Sequence, residues 1–403
     1  MSSVTITGTN SNSVVLNYDG ATNYALAQTL AAQINAEIAA GNVVGDPVAP
    51  SPVPGAGKTG ILFQSTESVI LPSNYTVDAI TGLPNANVIA NSLTNQVILS
   101  DEATALNFYA AAGAGTVVAG GGGSQLQIGG TGNWLLSSGA YGGPNVITDF
   151  GSGTNTISAG PGGNHIVLGS GHDLVLSTGE DLITAGHGDQ TVLASAGSRD
   201  NIHGVDGKLL FVGGAANVTI VGGGSGSVTF TGTSGSQDVQ GSLGGDNHLT
   251  AGLGQATLIG AADGDVLTAG NTGQLLIAGA GNETLNAVGA DTLYAGSGHD
   301  QINDGFGSDT FIGGSGHASI SATANGSDVF DFIASLNAAG HTEVTGFTNA
   351  SVADIHLHLQ GLTVASQTNT AHALTVNLSD GTVVKFDNVT THLVAGSNYN
   401  LPG

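Results

Sequence analysis

A nine-residue period constrains this chain more than any other feature. Between residues 151 and 195 the sequence divides into short units, among them GSGTNTISA, GPGGNHIVL and GSGHDLVL, and similar units return between residues 279 and 313. Each unit carries an apolar residue after a glycine-rich segment, which is too little to form a core by itself. Repeats of this length become stable only by stacking on one another. The recurring apolar residues are Ile157, Ile166, Val175, Ile183 and Val192 in the first block and Leu285, Leu293, Ile302 and Phe311 in the second.

Stacking of these units predicts a right-handed parallel β-roll or β-solenoid over residues 116–332. A short strand such as TISA would point one aliphatic side chain inward, and the glycines that follow would turn the chain. Two units would complete one coil, so residues about 18 apart should stack on adjacent coils. The chain has 67 glycines without a collagen-like triplet, and its hydrophobic fraction of 40% argues against disorder. The predicted fold class is therefore mainly β.

The segments that flank the repeats predict two smaller domains. Residues 1–115 predict a mixed α/β domain, an assembly or binding module, whose amphipathic helix is capped by Thr22 or Asn23 and ends at Gly41. After the helix, GDPVAPSPVPGAGKTG predicts a linker, GILFQSTESVIL and NQVILSDE predict strands, and DEATALNFYAAAG predicts a short helix. Residues 333–403 predict a β-rich C-terminal cap. The apolar positions of the first helix are Leu26, Leu30, Ile34 and Ile38.

Acidic residues dominate the charge of the chain. It has 29 Asp and Glu against 4 Lys and Arg, for a formal net charge of -25. Nucleic-acid binding needs clustered Lys and Arg, so this composition excludes it. The sequence also predicts no membrane span, no disulfide and no cleaved amino-terminal signal. Cations among the carboxylates would relieve the self-repulsion, and Ca²⁺ is the oxygen-seeking cation of extracellular fluid. Solubility is the alternative reason for the acidity.

The unit G-x-G-x-D-x-(apolar)-x-x resembles the calcium-binding nonapeptide repeats of the RTX (repeats-in-toxin) family, over about half of the chain. This resemblance implies Ca²⁺ as cofactor, held by Asp carboxylates and by backbone carbonyls from turns one coil apart. It further implies export by the type I secretion machinery of Gram-negative bacteria, and so an extracellular or cell-surface location. The late stretches SDVFDFI, HTEVTGFTNA and LTVNLSDGTVVKFDNVT resemble the ends of alphaproteobacterial RTX proteins, which implies an uncleaved secretion signal there.

The same resemblance marks six candidate calcium ligands. By the 18-residue spacing, Asp291 with Asp309 forms the best pair, whereas Asp173 stacks only on Asn155 or Gln190. Asp300 faces Glu283 on one side and Ala318 on the other, which makes at best half a site. A solenoid that holds most turns by amide hydrogen bonds instead of calcium is the alternative. The candidates are Asp173, Asp300 and Asp309 in complete units, Asp181 and Asp291 in units lacking one glycine, and Glu283 at the equivalent position.

Three function classes are compatible with these features. The chain lacks an H-E-x-x-H zinc motif and a G-x-S-x-G nucleophile elbow, and the adjacent pairs His172-Asp173 and His299-Asp300 are better explained as turn residues than as catalytic bases. A secreted non-enzymatic protein that self-assembles as a surface-layer, biofilm-matrix or filament subunit, with calcium-assisted folding, is therefore favoured. The alternatives are a calcium-dependent adhesin that binds a glycan or surface, such as cell-surface polysaccharide, and an enzyme acting on polysaccharide along the solenoid face.

Overall fold

A computed structural model of the chain describes residues 2–8, 12–44, 54–141, 143–214, 217–323, 326–336 and 339–400. The chain divides into two compact units, Met1–His203 (unit 1) and Gly204–Gly403 (unit 2). Each unit consists mainly of short strands in parallel ladders. The predicted mainly β fold class and the parallel solenoid are therefore confirmed. The division into domains at residues 115 and 332 stays a prediction, and part of the predicted linker, residues 45–53, lies outside the described residues.

Unit 1 begins with an antiparallel hairpin and a helix and continues as a parallel solenoid. Its elements, in chain order, are β1 (Ser2–Thr7), β2 (Ser13–Tyr18), α1 (Ala21–Ala39), β3 (Val43–Val44), β4 (Thr59–Gln64), β5 (Ser68–Ile70), β6 (Tyr75–Ile80), β7 (Asn85–Ile89), β8 (Gln96–Ser100), β9 (Ala105–Ala110), β10 (Gly115–Gly121), β11 (Gln125–Ile128), β12 (Trp134–Tyr141), β13 (Val146–Asp149), β14 (Thr156–Ser158), β15 (His165–Val167), β16 (Leu174–Ser177), β17 (Leu182–Thr184), β18 (Gln190–Ala194) and β19 (Arg199–Val205). From β3 onward, even-numbered strands and β3 pair in one sheet, and odd-numbered strands from β5 pair in the other.

The predicted helix is present as α1, but its cap and its buried face differ from the prediction. Gly20 is the N-cap and makes no side-chain cap bond, so Thr22 and Asn23 lie inside the helix. Gly41 follows its end with a φ of +74°, a conformation that favours glycine, as predicted. Asn23 is buried instead of capping: its Nδ2 donates to the Ala119 carbonyl and its Oδ1 accepts from Ser137 Oγ. This polar contact fixes the helix on the solenoid.

The parallel ladders begin upstream of residue 116, the predicted start of the solenoid. Strand β3 pairs with β4, and β4, β6, β8 and β10 continue the same ladder. The prediction missed these coils because their turns lack the G-x-G-x-D unit. The predicted short helix in DEATALNFYAAAG is wrong: Ala105–Ala110 is strand β9, with Leu106, Phe108 and Ala110 buried. Burial of alternate side chains in the solenoid overrides the helix preference of alanine there.

Unit 2 contains a solenoid of the same type, followed by antiparallel strands. Strand β38 pairs in parallel with β34, and β37 and β36 extend that sheet by antiparallel pairing. A 3₁₀ helix covers Asn349–Asp354. The strands are β20 (Lys208–Val212), β21 (Asn217–Gly222), β22 (Ser227–Thr231), β23 (Gln237–Gln240), β24 (His248–Thr250), β25 (Ala256–Ile259), β26 (Val266–Thr268), β27 (Leu275–Ile277), β28 (Thr284–Asn286), β29 (Thr292–Tyr294), β30 (His299–Asn303), β31 (Thr310–Ile312), β32 (His317–Ser321), β33 (Val329–Ile333), β34 (His341–Thr345), β35 (His356–Gln360), β36 (Val364–Asn369), β37 (Ala373–Leu378) and β38 (Val383–Asp387).

The core of each solenoid consists of two columns of apolar side chains, one from each sheet. Residues two units apart stack, as the period predicts: Ile157 pairs in register with Val175 and Ile166 with Ile183, and all four are completely buried. In unit 2, Phe311 and Phe330 stack with ring centroids 5.3 Å apart. Burial of these columns is the main source of stability in a coil of this width. Every coil must therefore keep its strand in register with the coils beside it.

Close approach between coils explains the glycines of the repeat. A Cβ atom on Gly171 would lie 1.8 Å from the carbonyl oxygen of Gly153, and one on Gly298 would lie 1.6 Å from that of Gly281. Both distances are far below van der Waals contact, so no larger residue fits at either turn. The glycines thus set the spacing of the turns, and this spacing places the acidic residues of successive coils side by side.

Candidate metal sites

In many of the repeats the turn ends in a polar residue whose side chain is buried and contacts the adjacent coil. Asp309 Oδ1 accepts a hydrogen bond from the backbone N–H of Asp291, at 2.6 Å. In the same way Asp291 Oδ1 accepts from Gln274 N, and Asp328 Oδ1 accepts from Asp309 N. One carboxylate oxygen per residue is thereby used to join coils. A cation can bind only where the second carboxylate oxygen has no hydrogen-bond partner.

Three carboxylates converge at one turn of unit 2. Ligand oxygens of Asp304, Asp309 and Asp328 all lie within 4.8 Å of one another. Each residue has one buried oxygen without a hydrogen-bond partner: Oδ1 of Asp304 and Oδ2 of the other two. We call these three residues the Asp304 cluster. Three converging carboxylates, each with a buried oxygen that lacks a partner, are unfavourable alone, but carboxylate oxygens are the ligands that Ca²⁺ prefers, so the cluster fits a calcium ion.

The raised pKa values in the Asp304 cluster also favour a bound cation. Burial, together with the neighbouring Asp304 carboxyl, raises the pKa of Asp309 to about 8. Burial also raises the pKa of Asp328 to about 6, with a further contribution from the charge of Asp304. Without a cation, Asp304 and Asp309 lie close enough for their carboxyls to share a proton. A bound divalent cation would replace that proton and restore both charges.

The predicted pair of Asp291 and Asp309 lies in one column, but their carboxylates differ in what they contact. Asp291 Oδ2 accepts hydrogen bonds from Val288 N and Gly289 N, so both its oxygens are already partnered. Asp309 instead joins Asp304 and Asp328, two residues that the repeat pattern did not indicate. Two signals could have found them. Asp328 lies 19 residues beyond Asp309, and Asp304 opens the turn that Asp309 closes.

Asp300 and Glu283, predicted from the sequence to form at best half a site, lie side by side in the structure. Glu283 N donates to Asp300 Oδ1 at 3.2 Å, and the two carboxyls are within hydrogen-bonding reach. Burial, and then Asp300, raises the pKa of Glu283 to about 8, while its Oε2 is buried without a partner. Ala318 occupies the register position beside Asp300 on the next coil. This site therefore offers two acidic side chains where the Asp304 cluster offers three.

The early repeats hold their carboxylates mainly by amide and hydroxyl hydrogen bonds. Asp173 Oδ1 accepts from the backbone and side-chain nitrogens of Asn155, the predicted neighbour. Its Oδ2 has no partner, and burial followed by the charge of Asp149 raises its pKa to about 6. Asp181 is bonded by Asn164 and by Ser177 Oγ, which also lies 2.6 Å from Asp200. Asp149 and Asp200 are thus acidic neighbours that the repeat pattern did not indicate either.

Comparison with known families identifies the repeats. A family model described as the RTX calcium-binding nonapeptide repeat matches four copies, at residues 151–177 and 288–320. The matched ranges include Asp173, Asp291, Asp300 and Asp309, and the second also includes Asp304. Neither the curated proteins nor the solved structures give a match to the chain. Among the described residues, no helix has the length and apolar character that a membrane crossing requires. RTX repeats bind calcium and are characteristic of secreted proteins.

Proposed function

Because the chain is an RTX-type protein, with calcium-binding nonapeptide repeats in a β-solenoid, we propose that it is a secreted structural protein that folds around calcium and assembles with copies of itself. The observation that carries this proposal is the Asp304 cluster, whose three buried oxygens lack partners. The proposed role is non-enzymatic. The calcium-binding repeats and the solenoid fit a calcium-dependent structural or adhesive protein in general. Self-assembly is the more specific role that we propose.

Calcium would act on folding through the charges of the turns. Asp304 and Asp309 lie in the same turn, between β30 and β31, and Asp328 lies in the turn before β33 on the next coil, so the cluster spans two coils of the solenoid. Bound Ca²⁺ would supply the positive charge that allows all three carboxylates to be buried in ionised form. Asp309 and Asp328 would keep their coils in register through their remaining oxygens, which accept backbone N–H bonds. Low calcium would leave the repeats unfolded for export, and high calcium would favour the folded solenoid.

Assembly of copies is supported by the charge and by exposed apolar side chains at turns of unit 2. A net charge of -25 opposes association unless cations neutralise the carboxylates. Leu253, Val288 and Phe306 are exposed at turns of unit 2, those of Val288 and Phe306 on adjacent coils, and Phe306 is 76% exposed. Phe306 lies between Asp304 and Asp309, so calcium at the cluster would also order the turn that presents this ring. Exposed apolar groups of this kind favour contacts between molecules.

Electron microscopy of the purified full-length protein tests assembly. In millimolar calcium we expect ordered polymers, because the repulsion between copies is reduced and the turns are ordered. In EDTA we expect separate particles, and magnesium at equal ionic strength serves as the control for simple screening. Separate particles at every calcium and protein concentration would refute the assembly part of the proposal while leaving calcium-dependent folding to its own test.

Export by type I secretion, with the signal in residues 333–403, is proposed on the resemblance of the sequence alone. A passenger protein fused to these residues should leave cells that carry a type I machinery and stay inside cells without it. An extracellular or cell-surface location follows from this proposal, and cell-surface polysaccharide is then an available partner.

A further inference from the structure

One face of unit 1 combines exposed apolar side chains with a row of amides. Strands β7, β9 and β11 point Val88, Phe108 and Leu126 into the core, so the residues on either side point outward. In register, Ile89 lies beside Tyr109, which lies beside Gln127, and this column starts from Ile70. We call the outward residues Asn87, Ile89, Asn107, Tyr109, Gln125 and Gln127 the Tyr109 face; they border a shallow depression of about 220 Å³.

The two columns of the Tyr109 face differ in chemistry. Ile70, Ile89 and Tyr109 form the apolar column and are 70%, 44% and 45% exposed, respectively. Asn87, Asn107 and Gln125 form the amide column beside it. A folded protein seldom aligns exposed apolar side chains on three successive strands unless something covers them. The face thus offers a strip of apolar contact with a parallel strip of hydrogen-bonding groups.

The amide column is partly fixed and partly free. Asn107 Nδ2 donates to Asn87 Oδ1 at 2.9 Å, and Asn87 Nδ2 donates to Ser68 Oγ and to the Glu67 carbonyl. These bonds orient two amides. In the part of the chain that the structure describes, the side chains of Gln125 and Gln127 and the Tyr109 hydroxyl form no hydrogen bond. An amide both donates and accepts, so these free groups suit a ligand that is rich in hydroxyls.

The charge of the Tyr109 face limits which class of ligand it can bind. No residue of the Tyr109 face is charged at neutral pH, and the protein as a whole carries -25. A polyanion would be repelled, and a cationic ligand would find no carboxylate in the face itself. From these features we infer that the Tyr109 face binds a neutral polysaccharide, with the apolar side of a sugar ring on Tyr109 and Ile89 and its hydroxyls on the amides.

Polysaccharide binding goes beyond the proposed structural role, because it adds a specific ligand to calcium-dependent folding and assembly. The Tyr109 face belongs to unit 1, whereas the Asp304 cluster belongs to unit 2. Loss of assembly would therefore leave the polysaccharide test valid, and absence of polysaccharide binding would leave the calcium test valid.

Co-sedimentation of the full-length protein with insoluble polysaccharides tests the inference. The probes are cellulose, chitin and an insoluble β-1,3-glucan as neutral polysaccharides, with alginate gel as the anionic one, all in calcium buffer, and the protein that sediments without polysaccharide is subtracted. We expect binding to at least one neutral probe and none to alginate. Tyr109→Ala should weaken that binding about tenfold, Gln127→Ala should weaken it severalfold, and Tyr109→Trp should retain it.

The matched control is Phe150→Ala, which removes an aromatic side chain of unit 1 that is 70% exposed but lies outside the face. This variant should bind as the unchanged protein does. Circular dichroism and the melting temperature verify that every variant is folded. The inference is overturned if no neutral probe is bound, or if Tyr109→Ala and Gln127→Ala both bind as tightly as the unchanged protein.

Discussion

Asp309→Asn should remove most of the stability that calcium adds to unit 2. Asp309 is completely buried, its Oδ2 has no hydrogen-bond partner, and its carboxylate belongs to the Asp304 cluster. Asparagine keeps the size of the side chain but lacks the charge that a cation needs. We expect calcium to stabilise the unchanged protein by about 4 kcal/mol when calcium greatly exceeds its dissociation constant, and the variant by about 1 kcal/mol. Thermal unfolding in EDTA and in millimolar calcium measures both.

Without calcium, the same substitution should have the opposite effect on stability. The folded-state pKa of Asp309, about 8, is raised above the ordinary value of 3.8. Its contribution to stability is therefore complete below pH 3.8 and is lost as the pH rises through about 8. In EDTA the unchanged protein should lose stability over this range. Asp309→Asn should lose less, because it has no proton to release at that position.

Asp291→Asn is the matched control in the same column. Both oxygens of Asp291 accept backbone N–H bonds, from Gln274, Val288 and Gly289, and the residue does not belong to the Asp304 cluster. Its substitution should lower stability equally with and without calcium. If Asp291→Asn abolishes the calcium response and Asp309→Asn leaves it unchanged, the assignment of the site to the Asp304 cluster is incorrect.

Asp78→Leu should stabilise unit 1, and the gain should grow with pH. Asp78 lies on β6 between Leu62 and Ile98 of the adjacent strands, is completely buried, and has no hydrogen-bond partner on either oxygen. Burial raises its pKa from 3.8 to about 8. At pH 7 this shift corresponds to a loss on the order of 4 kcal/mol of stability. Leucine would fill the position without an unpaired polar group, so we expect a gain of about 2–4 kcal/mol.

The pH dependence of stability separates two unfavourable effects of Asp78: the ionisation of a buried carboxyl and the burial of a polar group without a partner. Because its pKa is raised on folding, the contribution of the carboxyl is most favourable below pH 3.8 and disappears as the pH rises through about 8. Urea unfolding at pH 5 and pH 8 should show a larger gain for Asp78→Leu at pH 8. Asp78→Asn leaves an unpaired polar group but removes the titration, so it should flatten the pH dependence alone. Equal pH dependence in all three proteins would contradict this account.

Asp78 also shows where a sequence pattern is insufficient. Alternation in the strand YTVDAI places Val77 and Ala79 on one face of the sheet and Asp78 on the other. If Val77 and Ala79 faced the core of the solenoid, Asp78 would point outward. In the structure Val77 and Ala79 pack with α1 and the hairpin on the outer side of the sheet, so Asp78 points inward. Because both faces of this sheet are covered, alternation cannot distinguish them. The helix prediction for residues 101–113 failed for a related reason, since only the neighbouring coils make Leu106 and Phe108 core residues.

The sequence by itself determined the repeating coil, because glycines nine residues apart tolerate close turns and single apolar residues can be buried only by stacking. It also determined the columns, and so the contacts of Asp173 with Asn155 and of Asp300 with Glu283. Only the tertiary structure decided which carboxylates keep a free oxygen. That depends on whether nearby backbone N–H groups already occupy it, as they do at Asp291. It also depends on side chains such as Asp304, which enter a turn from outside the repeating position and add a third charge to the pair beside them.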